Sequence, residues 1–345
     1  PGRWVGEPAW PSINVERQSL SLAPNRLIPG TTPHTDVGLP IQSPVTLGLF
    51  SGKWCSYAAG PDLAHDQREE DGGALVFDSD PLNEPLEILG APEVELELTS
   101  DKPIAMVAVR LSDVAPDDKA TRVTYGMLNL THRSSRERPS AIPVGERHSV
   151  QVRMNDIAQC FPAGHRLRLA ISTSYWPLAW LPPEPVRLTI LTGASCLSLP
   201  VRAHHTEDQT VRTFDPPEGA PPAPQRMVRE SHHNWLVHRD LATDVSTLEV
   251  INDNGIVHLE DIDLTVESSA CEWYSTVADD FLSARGETKH IRGLARDGWH
   301  VRTETRTLLT ASATAFRINA DLDAYENGIR VACRSWDVSI PRDFV

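Results

Sequence analysis

Serine-containing segments are the first candidates for nucleophilic chemistry in this chain. The nucleophile of an α/β-hydrolase stands in a G-x-S-x-G sequence, which holds the serine on a sharp turn between a strand and a helix. Residues 48–52 (G-L-F-S-G) place Ser51 one position too late for this pattern, and residues 193–195 (G-A-S) lack the closing glycine. Neither segment predicts a catalytic serine, so the residues alone do not indicate a complete enzyme.

Histidines and acidic residues are the candidates for metal binding and acid–base chemistry. His165 begins a predicted strand and could be a ligand or a base, but a turn histidine that hydrogen bonds to backbone groups is the favoured interpretation. A dense acidic group lacks the residue order of an EF-hand calcium loop and is interpreted as a solvated loop. Its members are Asp62, Asp66, Glu69, Glu70, Asp71, Asp78 and Asp80. We therefore predict no metal and no cofactor.

A tryptophan-rich segment is a candidate binding surface. Residues 175–183 read Y-W-P-L-A-W-L-P-P, with Trp176 and Trp180 four positions apart. Exposed aromatic rings can bind sugars, which makes a carbohydrate-binding surface one hypothesis. The favoured alternative is a proline-rich flap whose rings pack on a neighbouring domain, because large aromatic side chains are mostly used for packing.

The net charge of the chain excludes some classes of binding partner. The chain has 345 residues and a formal net charge of −15. Phosphate backbones and anionic lipid surfaces repel such a chain, so we expect neither a nucleic-acid partner nor a membrane. The longest apolar run, around residues 104–109, has the length of a strand. The chain begins with Pro1 and not with Met, so we expect a piece of a longer protein.

Five cysteines lie far apart in the sequence, without a C-x-x-C pair. They are Cys55, Cys160, Cys196, Cys271 and Cys333. An odd and sparse set of cysteines is typical of a reducing compartment, where most of them pack as small apolar groups. The prediction for the compartment is the cytoplasm.

Period-two alternation of apolar and polar residues dominates the chain, whereas long helical periodicity is nearly absent. Short runs of this kind, separated by Pro, Gly, Asp and Asn, predict an all-β fold of the sandwich or jelly-roll type. In the first part they are residues 94–98, 105–111, 122–130, 150–154, 166–172, 186–191 and 196–201. Beyond a proline-rich stretch they are residues 247–251, 256–266, 299–309, 315–322 and 328–340, with a short helical turn at 279–284.

The proline-rich stretch divides the chain. A segment of this composition forms an extended and fairly stiff connector. We therefore predict a jelly-roll β-sandwich over residues 1–210, a linker over 211–225, and a smaller antiparallel β unit over 226–345.

The segment that contains the acidic group is distinctive as a sequence. Residues 60–71 read G-P-D-L-A-H-D-Q-R-E-E-D, and residues 75–82 read L-V-F-D-S-D-P-L. This resembles the G-P…D-Q-R…D…L-x-F-x-S-x-P-L signature of the C-terminal domain of the X-Pro dipeptidyl-peptidase and CocE/NonD hydrolase family. Further matches in the same order are residues 88–92, 109–116, 123–133, 162–169 and 171–177.

The resemblance extends over roughly residues 1–205, and the tail resembles the extra C-terminal region of longer members at residues 279–284 and 340–343. One departure is Asp118, where the family usually has glycine in a turn. Aspartate tolerates turn geometry, so we expect the fold to be unaffected.

The resemblance implies a galactose-binding-like jelly roll that accompanies a serine hydrolase. Whole members carry an α/β-hydrolase domain, a helical cap and this jelly roll, and they cleave small esters, amides or X-Pro peptides. Their Ser, Asp and His triad belongs to the N-terminal domain, so no catalytic residue is expected in this chain. The implied partner is an N-terminal α/β-hydrolase domain of the same polypeptide, and the implied role is to shape its active-site cleft.

The resemblance also implies a role for one loop. In relatives, the loop before the D-Q-R motif lies beside the mouth of the active site and lends apolar side chains to the acyl pocket. Here it covers residues 48–57, and the candidates for substrate contact are Leu49, Phe50, Trp54 and Cys55. An ordinary interdomain packing loop is an equally favoured interpretation. Two other functions stay open, which are a free-standing carbohydrate-binding module and a domain that forms homo-oligomers.

Overall fold

The computed structural model describes residues 2–30, 35–56, 60–205, 208, 211–212 and 214–345. Strands dominate these residues, and the helix α1 (Arg68–Asp71) is a single turn. The predicted all-β fold class is confirmed. No helix in the described part of the chain is long and apolar enough to span a bilayer.

The first sheet has twelve strands in the described residues, and we call the part that contains it the first unit. Its strands are β1 (Val15–Ala23), β2 (Arg26–Pro29), β3 (Gly38–Ile41), β4 (Leu75–Asp78), β5 (Leu86–Gly90), β6 (Glu93–Ser100), β7 (Met106–Val114), β8 (Ala120–Asn129), β9 (His148–Arg153), β10 (Ile157–Phe161), β11 (Arg166–Ser172) and β12 (Leu188–Arg202). They follow the order β10-β5-β12-β1-β2-β4-β11-β7-β8, with β3 and β6 also paired to β12, and β9 paired to β6.

The core of the first unit lies between two layers of this sheet. Strands β6 and β7 belong to different branches, yet alternate residues of both enter the same apolar cluster. On β6 these are Val94, Leu96 and Leu98, and on β7 they include Val107 and Val109. Because alternate side chains of a strand point to opposite faces, one face of each layer is buried against the other, as in a sandwich.

Two predicted strands of the first unit form one long strand. Residues 186–191 and 196–201 were expected as separate strands, but β12 runs through both of them. The register shifts between Leu191 and Cys196, which is a β-bulge. The Ser195 hydroxyl donates to the Leu191 carbonyl oxygen at 2.7 Å and accepts from the Glu97 N–H at 3.0 Å. These bonds pair backbone groups of Leu191 and Glu97 where the regular ladder is interrupted, so the strand continues through residues 192–195.

The second sheet has eight antiparallel strands in the described residues, and we call the part that contains it the second unit. Its strands are β13 (Gln225–Arg229), β14 (His232–Asp240), β15 (Val245–Leu259), β16 (Leu264–Val277), β17 (Arg285–Arg296), β18 (Trp299–Ala311), β19 (Ala315–Glu326) and β20 (Ile329–Pro341). Strands β15 to β20 form a meander, and β13 and β14 both pair with β15. The predicted smaller antiparallel unit is confirmed.

The boundaries of β15 and β16 differ from the prediction. A strand over residues 256–266 was expected, but the chain turns within it, at the short 3-10 turn Glu260–Ile262. Asp263 closes this turn in the left-handed conformation, which local hydrogen bonding of aspartate favours. Strand β15 also absorbs the predicted strand at 247–251 and has a bulge near Gly255. The predicted helical turn at 279–284 is confirmed as a 3-10 turn, Phe281–Ser283.

The division at residues 210 and 226 stays a prediction, and residues 209, 210 and 213 beside it lie outside the described part of the chain.

Asp118 adopts the left-handed conformation at φ 66°, as the turn at this position requires. The guanidinium of Arg166 pairs with the Asp118 carboxylate.

Candidate functional site

The sequence predicted that the acidic group of residues 62–80 forms a solvated loop, but the group is not uniformly exposed to solvent. Glu70 is only 3% exposed, and Asp71 is also buried. Both face the fully buried Arg110 of β7, whose guanidinium lies 3.1 Å from the Asp71 carboxylate and 3.8 Å from that of Glu70. A buried carboxylate needs such a partner because the loss of hydration is costly. The interpretation as a solvated loop is therefore wrong for these two residues.

Asp71 belongs to a wider set of ion pairs. The Arg168 guanidinium on β11 lies 3.0 Å from Asp71 and 2.7 Å from Asp78 on β4. Burial raises the pKa of the Asp71 carboxyl above its usual range, and the nearby arginines act in the opposite direction. The network joins α1 to β4, β7 and β11.

Glu70 holds the loop that contains the candidate substrate residues. Its carboxylate accepts the backbone N–H groups of Gly48 at 2.6 Å and of Phe50 at 2.8 Å. Burial raises the pKa of the Glu70 carboxyl, whereas Arg110 and the two N–H groups favour its charged form. Hydrogen bonds to a carboxylate are stronger than those between neutral groups. The loop is therefore anchored through its backbone at Gly48 and Phe50.

Gln67 and Gly48 complete this anchor. The Gln67 side-chain amide donates to the carbonyl oxygens of His65 at 2.8 Å and Phe50 at 3.3 Å, and it accepts from Arg110 at 3.0 Å. Gly48 has φ 117°, and a Cβ at this position would lie 2.2 Å from the Trp176 carbonyl oxygen. Only glycine fits such a close approach in this conformation.

Two of the four candidate residues line a cleft of about 480 Å³. Leu49 is buried at its floor, and Phe50 is half-buried beside it. Trp54 and Cys55 do not line this cleft. The Trp54 ring is 61% exposed and stands edge-on to Tyr125 at 5.9 Å, and the Cys55 thiol is exposed. A direct role of these four residues in substrate binding stays a prediction.

The second unit provides the opposite wall of the cleft, which the sequence did not indicate. This wall consists of Trp235 and Val237 on β14 and Leu248 on β15, and Arg239 continues it to the rim. There the Arg239 guanidinium lies 3.2 Å from the carboxylate of Glu69 on α1, and the cleft also borders His65. No strand was predicted over β14, and a local sequence pattern would not show which surface its face meets.

The Trp176 and Trp180 rings do not form an exposed platform, so the hypothesis of a sugar-binding surface at these rings is wrong. Trp176 is 1% exposed and packs edge-on against Tyr274 of the second unit at 6.0 Å. Trp180 packs against Phe316 of the second unit at 5.6 Å. The alternative, a flap whose rings pack on a neighbouring part of the protein, is confirmed.

One other predicted feature takes a different form. The His165 ring meets the Asp113 carboxylate, with Nδ1 2.8 Å from Oδ1, so its partner is a side chain and not the expected backbone groups. Tyr57, at the end of the predicted loop, lies outside the described residues.

Comparison with known proteins identifies relatives of this chain. Residues 1–237 match the family described as the X-Pro dipeptidyl-peptidase C-terminal non-catalytic domain. Cocaine esterase from Rhodococcus sp. (strain MB1 Bresler) is 27% identical over 103 residues, which are 30% of this chain and 18% of the esterase. A Mycobacterium tuberculosis (strain CDC 1551 / Oshkosh) protein, provisionally named a serine esterase, is 27% identical over 192 residues, 49% of this chain and 30% of that protein.

A solved structure shares the fold of part of this chain. The aminopeptidase from the marine sediment archaeon Thaumarchaeota archaeon superposes with a TM-score of 0.52 at 16% identity, over 58% of this chain and 39% of the aminopeptidase. The chain spans less than a third of the length of the two curated relatives above. Because the family match covers more than half of the 345 residues, the resemblance seen in the sequence is confirmed, and the chain belongs to the X-Pro dipeptidyl-peptidase C-terminal non-catalytic domain family.

Proposed function

We propose that the chain is the noncatalytic β portion of a CocE/NonD-type serine hydrolase. In this proposal it packs on an α/β-hydrolase domain of the same polypeptide and closes one side of the active-site cleft. The substrate is a small acyl ester, an amide or an X-Pro peptide. The other domain supplies the serine nucleophile and the oxyanion hole, and the reaction proceeds through a serine ester.

The observation that carries this proposal is a loop with an anchored backbone, two apolar residues in a cleft and one largely exposed aromatic side chain. The Glu70 carboxylate fixes the backbone at Gly48 and Phe50, while Trp54 remains largely exposed. Leu63, on the neighbouring segment, is exposed as well. Large apolar groups exposed together are typical of a surface that meets another protein or a ligand. Anchoring such a loop from behind provides the preorganisation that a substrate pocket needs.

The cysteines support the cytoplasm as the compartment. All five are free thiols, including the exposed Cys55, Cys160 and Cys333. Exposed free thiols persist best in a reducing environment, because disulfides and other oxidised forms accumulate elsewhere.

Labelling with a fluorophosphonate, which reacts with nucleophilic serines, tests whether the catalytic serine lies outside this chain. The chain is compared with a longer polypeptide that includes the sequence encoded upstream. We expect label only on the longer protein, because the nucleophile belongs to the α/β-hydrolase domain. Label on the 345-residue chain would contradict the noncatalytic role.

Substitutions in the loop test its contact with substrate. We expect Phe50→Ala and Trp54→Ala in the longer enzyme to change kcat/KM unevenly across a series of esters with growing acyl groups. Val144→Ala is the matched control, since Val144 is also an exposed apolar residue but lies outside the loop. An unchanged acyl preference in both loop variants would contradict substrate contact and leave interdomain packing as the role of the loop.

A further inference from the structure

The second unit is held against the first by packing of aromatic rings. Trp176 and Trp180 of the first unit meet Tyr274 and Phe316 of the second, edge-on in both cases. The interface is dry at its centre, since Trp176, Leu181, Leu248 and Phe281 are all buried in one apolar cluster. Buried aromatic pairs of this kind fix the relative position of two surfaces.

Hydrogen bonds strengthen the same interface at two further points. The Val45 N–H donates to the Asp279 carboxylate at 3.0 Å. Near the C-terminus, the buried Arg342 donates to the Leu181 carbonyl oxygen. The Phe344 carbonyl oxygen accepts from the Thr131 hydroxyl at 2.8 Å. These bonds join the second unit to the first, and Leu248 and Val250 on β15 pack in the same apolar cluster as Leu49.

The cleft between them has an apolar interior. Leu49 and Leu248 are buried and belong to one apolar cluster, so they form its floor. Phe50 and Trp235 are half-buried aromatic rings that line it, together with Val237. A volume of about 480 Å³ lies within the roughly 300–1,000 Å³ of small-molecule sites.

The charged groups of the cleft are confined to its rim and pair with each other. Glu69 is 56% exposed, and its carboxylate lies 3.2 Å from the guanidinium of Arg239, which is also exposed. A charged ligand would have to lose its hydration in the apolar interior, where none of the described lining residues carries a charge. An uncharged ligand has no such cost.

We infer that this cleft binds an uncharged aromatic or branched aliphatic group, and that Trp235 and Val237 of the second unit form its selective wall. The inference rests on the proposed substrate role of the 48–56 loop and extends it. The ligand is the acyl side chain of the substrate, held between the loop and β14. The C-terminal region thus sets which acyl group fits.

Ligand binding to the 345-residue chain tests this inference. The probe is methyl 4-fluorobenzoate, followed by ¹⁹F NMR titration, with the 4-fluorobenzoate anion as the charged counterpart. Val237→Trp fills the cleft, and Trp235→Ala removes its aromatic wall. Leu236→Ala is the matched control, because Leu236 lies between these two residues on β14 and points to the opposite face of the sheet. Thermal unfolding confirms that each variant is folded.

We expect the ester to bind, and Val237→Trp and Trp235→Ala each to raise its Kd at least tenfold. Leu236→Ala should leave the Kd within twofold, and the anion should bind at least tenfold more weakly than the ester. Absence of ester binding, equal binding of the anion, or unchanged affinity in the two cleft variants would overturn the inference.

Phe50→Ala separates this inference from the function on which it rests. If Phe50→Ala weakens binding while Val237→Trp and Trp235→Ala do not, the second unit is not a wall of the site, and the proposed loop function still stands. If the fluorophosphonate experiment places a nucleophile in the 345-residue chain, the proposed noncatalytic role fails whatever the ester titration shows.

Discussion

Glu70→Ala is the substitution that most directly tests how the loop is held. The Glu70 carboxylate accepts two backbone N–H groups of the loop and lies near the buried Arg110 guanidinium. Alanine removes the acceptor and leaves a space that its methyl group does not fill. The N–H groups of Gly48 and Phe50 then lose their partner, and the loop loses its anchor.

The size of the effect follows from these contacts. Each buried donor left without an acceptor costs about 1–3 kcal/mol, so the two together give about 2–6 kcal/mol. Arg110 keeps its bonds to Asp71 and Gln67, so its charge is not left without a partner. Breaking a buried ion pair costs about 3–5 kcal/mol, which lies within the same range. Glu70→Gln keeps one acceptor oxygen and the shape, so we expect roughly half of the loss.

Urea unfolding and amide hydrogen exchange measure the two consequences. The free energy of unfolding of the first unit should fall by about 2–6 kcal/mol in Glu70→Ala. Exchange at the Gly48 and Phe50 amides should accelerate beyond what this global loss explains, because the loop opens locally. Glu69→Ala is the control. Glu69 is the preceding residue, yet it is exposed and forms only a surface ion pair, so its loss should cost at most about 1 kcal/mol.

Equal losses in the two variants would refute this reasoning, because the burial of Glu70 would then carry no energetic weight. Unchanged protection of the Gly48 and Phe50 amides in Glu70→Ala would refute it independently. In that case other contacts would hold the loop.

Three further predictions concern the same structure. Gly48→Ala should destabilise the first unit by several kcal/mol in urea, because its new Cβ would lie 2.2 Å from a backbone carbonyl oxygen. Gly60 also has a positive φ, but no described heavy atom lies within 4 Å of a Cβ placed there, so Gly60→Ala should cost only about 1–3 kcal/mol. Because burial raises the folded-state pKa of Glu70, its contribution to stability is complete below the ordinary value of 4.5 and declines as the pH rises through the folded pKa. The stability advantage of the wild type over Glu70→Gln should therefore shrink in urea titrations as the pH rises above 4.5, and a widening gap would contradict the assigned direction. Trp180→Ala should cost about 3–5 kcal/mol at the interface and separate the unfolding of the two units into distinct calorimetric transitions, and a single sharp transition would show that the ring does not couple them.

Local patterns predicted many of the strands because the two faces of a strand follow from the alternation of apolar and polar residues along the chain. The alternation at residues 94–98 appears in the structure as one buried face of β6 and one face that is exposed at Glu95 and half-buried at Glu97. Prediction was weaker where one strand contains a bulge or where two strands meet at a tight turn. Residues 193–195 have the composition of a loop, and hydrogen bonds from a different strand keep them within β12. Such bonds depend on the tertiary neighbour and have no local signal.

The candidate site was predictable only in part for the same reason. Leu49 and Phe50 were identified through the family resemblance, but nothing in residues 60–80 indicates that Glu70 and Asp71 are buried. Their partner Arg110 is about forty residues away in the sequence, and Trp235 is further still. Only the packed fold shows that these groups meet.

The single turn of α1 explains how one acidic run serves three surfaces. Successive residues of a helix point about 100° apart, so Glu69 faces the exposed rim of the cleft, whereas Glu70 and Asp71 both turn toward the buried Arg110. Glu69 reaches Arg239 of the second unit, Glu70 holds the 48–56 loop, and Asp71 joins the arginines of the sandwich core. A shift of α1 would therefore move the loop relative to both units. Residues 66–71 (D-Q-R-E-E-D) fix the geometry of the cleft, although Glu69 is the only described residue of this segment that lines the cleft.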